Sequence, residues 1–154
     1  MLKFMQMAIA EAEQNLLTND GGPFGAVVVK DGQAVATGHN EVLKNNDPTC
    51  HGEMQAIRAA CQKLGTYDLT GCELYTSAYP CPMCLSAIIW ANIKTVYYGN
   101  SAQDAEEIGF RDDFIYRFIK DDCQQREILT LKQLGRAVAQ DSFQKYKQEH
   151  KTIY

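Results

Sequence analysis

The sequence predicts an α/β fold in which helices cover a mixed sheet. Short apolar runs rich in β-branched residues alternate with longer stretches whose apolar residues recur every three to four positions. Glycine and proline clusters separate these stretches and mark loops. With 154 residues, of which 45% are hydrophobic, the chain is long enough for one domain with its own core. We therefore expect residues 1–154 to form a single domain of alternating strands and helices.

The first part of the chain predicts a helix and a β-hairpin. Leucine, methionine and alanine recur at helical spacing over residues 1–17, before a Gly-Gly-Pro segment that ends the helix. Two apolar runs, 26–30 and 34–37, flank the pair Asp31-Gly32. Because Asp-Gly is a favoured two-residue hairpin turn, we expect these two runs to pair as strands.

A second helix is predicted to begin at Asp47. Asp47 is a favourable N-cap and Pro48 suits the first helical position, while Gly65 ends the helix. This prediction places His51 and Glu53 in or near the first turns of the helix.

A strand at 73–76 leads into a third predicted helix, which Pro80 or Pro82 opens. Cys81 and Cys84 stand at the start of this helix, three residues apart, so they can face the same way. The positive end of the helix dipole lowers the pKa of thiols in this position, which favours the thiolate form that binds metals.

The remaining elements are predicted from the apolar pattern. A strand at 95–99 is followed by a short helix at 102–108, and residues 110–116 mix acidic with aromatic side chains. A further strand is expected at 127–131 and a last polar helix at about 137–148.

The composition argues against several classes of protein. A net charge of −4 disfavours a nucleic-acid partner, because phosphate contacts need clustered Lys and Arg. No apolar stretch approaches the length needed to cross a membrane, and the N-terminal segment lacks the continuous apolar run of a secretory signal. The six cysteines are therefore interpreted as thiols rather than as a disulfide framework, which indicates a cytoplasmic protein.

Two short motifs supply three candidate metal ligands and one candidate proton carrier. The first is His51-Gly52-Glu53, and the second contains Cys81 and Cys84 in a Pro-Cys-Pro-Met-Cys segment. One histidine and two cysteines are the number of ligands that a catalytic zinc uses when its fourth position holds water. Glu53 lies two residues after His51 and can transfer protons without binding the metal. H-x-E followed by P-C-x-x-C is the pattern of zinc-dependent nucleobase deaminases.

Each motif taken alone has a simpler interpretation. A His-x-Glu pattern recurs by chance in unrelated sequences. A C-x-x-C pair at a helix start is typical of a redox dithiol. Cys50 is adjacent to His51, but we expect its side chain to point away from the site. His39 is interpreted as a structural or solvent-facing residue. The order of the two motifs and their shared position at helix starts favour a zinc site over a dithiol.

Several segments together resemble the cytidine and deoxycytidylate deaminase superfamily, and within it the bacterial guanine deaminases. The zinc motifs are specific for the superfamily, whereas the later segments favour the guanine branch. The matching segments are 22–32, 46–49 with 51–53, 76–77 with 80–84, 109–116 and the terminal Tyr154.

The resemblance implies a three-layer α/β/α cytidine-deaminase-like fold with a central mixed sheet. It also implies a homodimer in which the C-terminal segments are exchanged, so that Tyr154 completes the substrate pocket of the partner subunit. Without the resemblance, a frayed tail would be the simpler interpretation of these last residues.

The resemblance further implies hydrolysis of guanine to xanthine and ammonia, with zinc held by the histidine and the two cysteines. Glu53 would carry a proton from the attacking water to a ring nitrogen, and Asp112 would hold the departing amino group. Phe24 would stack on the base and Asn40 would hydrogen-bond its edge. The simpler alternatives are a helix cap or a salt bridge to Arg111 for Asp112, and core packing for Phe24.

One departure from the family pattern concerns the residue before Pro-Cys, which is commonly acidic and is Tyr79 here. The zinc ligands are unaffected, but other substrates of the same chemistry stay open: guanosine, cytosine, a triazine such as ammeline, or adenosine in a transfer RNA. A non-catalytic, zinc-stabilised scaffold is the alternative from another class. Glu53 argues against it, because a structural zinc site normally has a fourth protein ligand and needs no proton carrier.

Overall fold

The computed structural model describes residues 1–154, which divide into two compact units, 1–115 and 116–154. The prediction of a single domain with an exchanged C-terminal segment stays a prediction. No helix is long and apolar enough to cross a membrane. The helices and strands are α1 (Leu2–Leu17), β1 (Gly25–Lys30), β2 (Gln33–His39), α2 (Val42–Asn45), α3 (Gly52–Leu64), β3 (Cys72–Ala78), α4 (Pro82–Trp90), β4 (Thr95–Asn100), α5 (Ala102–Glu107), α6 (Asp113–Lys120) and α7 (Arg136–Gln148).

The four strands form one mixed sheet in the order β2-β1-β3-β4. β1 is antiparallel to both β2 and β3, whereas β3 and β4 are parallel. Asp31 and Gly32 connect β1 and β2 with φ angles of 50° and 70°. Positive φ at both central residues is the requirement of a type I′ turn, so the predicted hairpin is confirmed together with its turn.

Helices cover both faces of this sheet, which confirms the predicted three-layer α/β/α arrangement. Successive residues of a strand point to opposite faces, so β1 contributes to two separate clusters of buried side chains. One cluster lies under α1, and the other lies under α3 and α4. The α1 side contains Phe4, Ala8, Val27, Val29 and Tyr75, and the other side contains Ala26, Val28, Ala56, Ile57, Ala60, Leu74 and Ile88.

One edge of the sheet gathers the chain segments that carry the candidate functional residues. Because β1 runs antiparallel to its neighbours, its first residues lie beside the last residues of β2 and β3. Phe24 immediately precedes β1, Asn40 follows β2, and Tyr79 follows β3. Residues that are far apart in sequence therefore meet at this edge.

Two predicted elements are corrected by the structure. The helix expected from Asp47 begins at Gly52, because the Asp47 carboxylate accepts a hydrogen bond from the Thr49 backbone N–H at 2.8 Å and forms a turn instead of a cap. The strand expected at 127–131 is absent. Ile128 and Leu129 donate their backbone N–H groups to the Gln125 carbonyl at 3.1 and 3.3 Å, so local turns replace sheet pairing.

The helices α2 and α6 were not predicted. α2 lies within the loop expected before residue 47, and α6 includes part of the segment in which acidic and aromatic residues alternate. α6 has an acidic residue in its first turn and basic residues in its last, an arrangement that favours the helix dipole. The other predicted helices and strands agree with the structure within a few residues.

Candidate active site

Three potential metal ligands converge beside the edge of the sheet. His51 is the N-cap of α3, Cys81 is the N-cap of α4, and Cys84 lies in the first turn of α4. The Nδ1 atom of His51 lies 3.5 Å from Sγ of Cys81 and 3.7 Å from Sγ of Cys84. A tetrahedral zinc with ordinary Zn–N and Zn–S bond lengths would hold such atoms about 3.6 Å apart. The donor atoms therefore already have the spacing that zinc requires.

A close contact between α3 and β1 places His51 and Glu53. A Cβ atom on Gly52 would lie 3.0 Å from the Phe24 carbonyl oxygen and 3.1 Å from the Gly25 Cα atom. Only a residue without a side chain allows this approach without displacing the backbone. Gly52 thus fixes the residues on either side of it against the start of β1.

The two sulfur atoms differ in their electrostatic environments. Hydrogen bonds to Cys84 and His51 lower the pKa of Cys81 to about 4, although burial opposes this shift. The pKa of Cys84 is raised, because this thiol hydrogen-bonds Cys81, is buried and lies near the Glu53 carboxylate. A bound divalent cation would offset the repulsion between these groups and favour thiolates at both positions.

Glu53 is a buried carboxyl group next to the metal ligands. Its Oε1 atom accepts a hydrogen bond from the Thr76 hydroxyl at 3.1 Å, and its Oε2 atom accepts one from the Cys84 thiol at 3.5 Å. Burial is the main cause that raises the pKa of Glu53 above its ordinary value. A carboxyl group with a raised pKa holds a proton more readily than an exposed one, which suits a group that accepts and releases a proton during a reaction.

A cavity of about 600 Å³ opens beside His51 and Cys81. Phe24 and Phe110 form one part of its wall, with their rings edge to face and 4.9 Å between centroids. Asn40 adds a buried polar side chain to the lining. Aromatic walls combined with a few fixed polar groups are typical of pockets for small planar ligands.

Asp112 also lines this cavity, just before α6 begins. Partial burial is the main cause that raises the pKa of its carboxyl group, and the nearby Cys81 sulfur raises it further. Arg111 forms ion pairs with Glu106 at 3.3 Å and with Asp113 at 3.4 Å. The salt bridge considered as an alternative for Asp112 is therefore formed by other carboxylates.

Tyr154 lies in the second unit, where its side chain is 82% exposed. A role for Tyr154 in a partner's pocket stays a prediction.

Cys50 does not belong to the metal-binding group. It is buried, and its sulfur accepts weak hydrogen bonds from Asn45 at 3.7 Å and Arg58 at 3.8 Å. The expectation that its side chain points away from the ligands is confirmed, since only His51, Cys81 and Cys84 bring their donor atoms together there.

Sequence reasoning missed two residues of the site. Phe110 lines the cavity against Phe24, and Thr76 holds the Glu53 carboxyl group. The mixture of aromatic and acidic residues at 110–116 could have pointed to Phe110. No local pattern pointed to the role of Thr76, because Thr76 reaches Glu53 only through the pairing of distant elements.

Comparison with known proteins identifies related sequences and structures. Residues 1–100 match the family described as the cytidine and deoxycytidylate deaminase zinc-binding region. The chain is 50% identical over 125 residues to a guanine deaminase of Bacillus subtilis, which covers 81% of this chain and 80% of that protein. An X-ray structure of guanine deaminase from Bacillus subtilis matches with a TM-score of 0.91 and 42% identity, covering 99% of this chain and 98% of that chain.

A second kind of relative is a tRNA-specific adenosine deaminase of Agrobacterium fabrum, which is 44% identical over 101 residues, or 66% of this chain and 64% of that protein. The family match includes His51, Cys81 and Cys84, and it spans well over half of the chain. The chain therefore belongs to the cytidine and deoxycytidylate deaminase family of zinc-binding proteins.

Proposed function

We propose that this protein is a zinc-dependent hydrolase that converts guanine and water into xanthine and ammonia. The observation that carries the proposal is the spacing of the His51, Cys81 and Cys84 donor atoms, with the buried Glu53 carboxyl group in contact with Cys84. The identity of 50% with the guanine deaminase of Bacillus subtilis supports guanine as the substrate.

His51, Cys81 and Cys84 would hold the zinc ion and leave it open to water. When bound in this way, zinc lowers the pKa of a coordinated water toward neutrality and supplies hydroxide near neutral pH. Cys50 is directed toward Asn45 and Arg58, so it does not supply a fourth ligand. The donor set thus supports catalysis rather than a purely structural zinc site.

Glu53 is placed to move the proton that hydrolysis requires. It takes a proton from the attacking water and delivers it to the ring nitrogen beside the reacting carbon, which makes that carbon more electrophilic. The hydrogen bond from Thr76 holds one carboxylate oxygen and thereby orients the group. The raised pKa of Glu53 matches a residue that is protonated and deprotonated in each cycle.

Asp112 is placed to assist the departure of the amino group. Its carboxyl group lines the cavity, and partial burial raises its pKa, which favours the protonated form that can donate to a leaving amino group. In this step the amino group gains a proton and leaves as ammonia, while the oxygen of water becomes the new carbonyl oxygen of xanthine.

The aromatic part of the cavity wall suits a purine base. The Phe24 and Phe110 rings offer an apolar surface on which a planar base can pack, and the Asn40 amide offers hydrogen bonds to its edge. The net charge of −4 favours a free base over a transfer RNA.

A homodimer with exchanged C-terminal segments is part of the same proposal. Within the second unit, many large apolar side chains are exposed, an arrangement that favours burial against another chain. Tyr154 would then reach the pocket of the partner subunit. Besides Tyr154, the most exposed large apolar residues of this unit are Leu131, Leu134, Val138, Phe143 and Ile153, at 64%, 94%, 81%, 78% and 83%.

The six free thiols are consistent with a reducing compartment, and a cytoplasmic location stays a prediction from them.

The proposal is tested by assaying ammonia release from guanine, guanosine, cytosine, adenine and ammeline under identical conditions. A transfer RNA with an adenosine at the wobble position completes the panel. We expect guanine to be hydrolysed with the highest kcat/KM and guanosine to be a poor substrate. A higher kcat/KM for any other compound would overturn the guanine assignment, and no turnover by zinc-loaded protein with any compound would overturn the enzymatic one.

A further inference from the structure

Asn15, near the end of α1, bridges the two loops that carry Phe24 and Asn40. Its Nδ2 atom donates one hydrogen bond to the Gly22 carbonyl at 2.6 Å and another to the Asn40 carbonyl at 2.8 Å. A primary amide has two N–H groups, so both are used. The Oδ1 atom of Asn15 accepts a hydrogen bond from the Thr18 hydroxyl at 3.3 Å, which fixes the orientation of the amide.

These contacts belong to a closed ring of hydrogen bonds. The Phe24 N–H donates to the same Gly22 carbonyl at 2.8 Å, and the Asn40 N–H donates to the Phe24 carbonyl at 2.9 Å. The ring therefore runs from Asn15 to Gly22, Phe24 and Asn40 and back to Asn15. Within it, Asn15 is the only member that contributes through its side chain, and it ties the Gly22 and Asn40 carbonyls to α1.

The Asn40 side chain is held at the same place. Its Oδ1 atom accepts a hydrogen bond from the Val42 N–H at 3.1 Å, and a Cβ atom on Gly21 would overlap this oxygen. Oδ1 already accepts from the Val42 N–H, whereas Nδ2 donates to no protein group, so the Nδ2 amide is a free donor that Asn40 offers to a ligand in the cavity. An N–H donor at this position pairs with a carbonyl oxygen or an unprotonated ring nitrogen of a base.

We propose that Asn15 is a positioning residue for base recognition, which holds the Phe24 ring and the Asn40 amide donor at the separation that a purine needs. Asn15 does not line the cavity and acts through the two loops. This inference rests on the proposed function, since it concerns the binding of the base that the enzyme deaminates. The hydrogen bonds of Asn15 involve none of the metal ligands, which lie at the starts of α3 and α4.

The contacts of His39 also join these segments, so the fold does not depend on Asn15 alone. The His39 ring nitrogens contact Glu11 at 3.2 Å and Asp20 at 3.3 Å, and these contacts join α1, the loop before Phe24 and the end of β2. The Asn40 N–H to Phe24 carbonyl bond also keeps these segments attached. Loss of the Asn15 amide is therefore expected to change how the Phe24 ring and the Asn40 amide are placed relative to each other without detaching the segments.

The test compares Asn15→Ala and Asn15→Asp with the parent enzyme. Gln14→Ala is the matched control, because Gln14 is an exposed amide on the same helix whose side chain contacts only Glu11. We expect Asn15→Ala to raise KM for guanine roughly 10- to 100-fold, with kcat within about threefold and zinc content unchanged. Asn15→Asp should raise KM further, since a carboxylate would face two carbonyl oxygens. Gln14→Ala should keep the parent values.

Guanine affinity measured by calorimetry supplies a readout that a loss of stability would not change. The measurement uses Glu53→Gln, in which turnover is expected to be slow compared with binding, and Glu53→Gln with Asn15→Ala. Weaker binding by the double variant, at equal zinc content and similar melting temperature, supports the proposal. A folded, zinc-loaded Asn15→Ala protein whose KM and guanine affinity stay within about twofold of the reference would overturn it.

A loss of zinc, kcat and melting temperature together would also overturn the proposal, because it would show a purely structural role. If Asn15→Ala does not fold, Asn15→Ser is measured instead and the same outcomes apply. If the parent enzyme deaminates another base and not guanine, the guanine assignment fails, and the variants are compared with that base. A failure of the guanine assignment can therefore be distinguished from a failure of the role proposed for Asn15.

Discussion

The site has a metal-facing half, formed by His51, Cys81 and Cys84, and a base-facing half, formed by Phe24 and Asn40. The donor atoms of the metal-facing half all come from the starts of two helices, whereas the side chains of the base-facing half come from loops. His51, Cys81 and Cys84 are each placed by a helix start that two short motifs specify. Phe24 and Asn40 are placed by backbone hydrogen bonds and by the side chain of a residue on α1. Local sequence thus fixes where each metal ligand stands on its helix, although the two helix starts meet only in the folded chain. The base-facing half depends on contacts between distant segments throughout.

This difference predicts two kinds of mutational effect. Substitutions in the metal-facing half should remove the reaction, since they remove the zinc that would activate water. Substitutions in the base-facing half should change substrate affinity and leave the metal in place.

The largest effect is expected for Cys81→Ser, with Cys61→Ser as the matched control. The hydroxyl of serine is a much weaker zinc ligand than a thiolate, so we expect Cys81→Ser to lose most of its zinc and all measurable ammonia release. Cys61 lies beside the core and outside the ligand group, so Cys61→Ser should keep both. Metal analysis and the ammonia assay check the pair, and full activity of Cys81→Ser would contradict the metal assignment.

Glu53→Gln should separate metal binding from chemistry. The amide cannot carry the proton, so we expect zinc to be retained while kcat falls roughly 10²- to 10⁴-fold or more. Glu13→Gln, on an exposed position of α1, is the control. A Glu53→Gln enzyme that works at nearly the parent rate would show that another group carries the proton.

Asp112→Asn is expected to have a smaller effect, because it removes assistance to the leaving group and leaves the attack on the base intact. We expect kcat to fall about 100-fold with KM nearly unchanged. Asp113→Asn is the matched control, since Asp113 pairs with Arg111 at 3.4 Å. Steady-state kinetics of both variants decide the assignment, which fails if Asp113→Asn is the more impaired.

The smallest effect is expected for Tyr154→Ala, which removes one wall of the proposed pocket. We expect KM to rise roughly tenfold and the melting temperature to stay the same, because the side chain is 82% exposed in one chain. Mixing Tyr154→Ala with His51→Ala tests action between subunits, since a mixed dimer would contain one complete site. No gain of activity in subunits that have been unfolded and refolded together would argue against exchange.

The sequence allowed the local features of the fold to be predicted. The Asp31-Gly32 turn, the proline at the start of α4 and the apolar spacing of α1 act over a few residues, so no tertiary information was needed. The start of α3 was misplaced because Asp47 uses its carboxylate in a turn, and the distinction between a cap and a turn depends on the backbone that follows. The strand predicted at 127–131 was wrong, because an apolar run forms a strand only where a neighbouring strand is available to pair with it.

The same distinction applies to the candidate site. The ligand motifs could be found by spacing, since a helix start places residues three apart on one side. The roles of Asn15 and Thr76 could not be found, because each contacts residues that lie far away in sequence. Resemblance to a family supplied Phe24, Asn40 and Asp112, which spacing alone did not single out.

Zinc K-edge X-ray absorption of the purified enzyme tests most directly whether three protein ligands and a water surround the metal. We expect one zinc per chain with two sulfur atoms at about 2.3 Å and two nitrogen or oxygen atoms at about 2.0–2.1 Å, one from His51 and one from water. A first shell with three sulfur atoms would mean that Cys50 or another thiol fills the fourth position. That result, or purified protein without zinc, would contradict the hydrolytic mechanism.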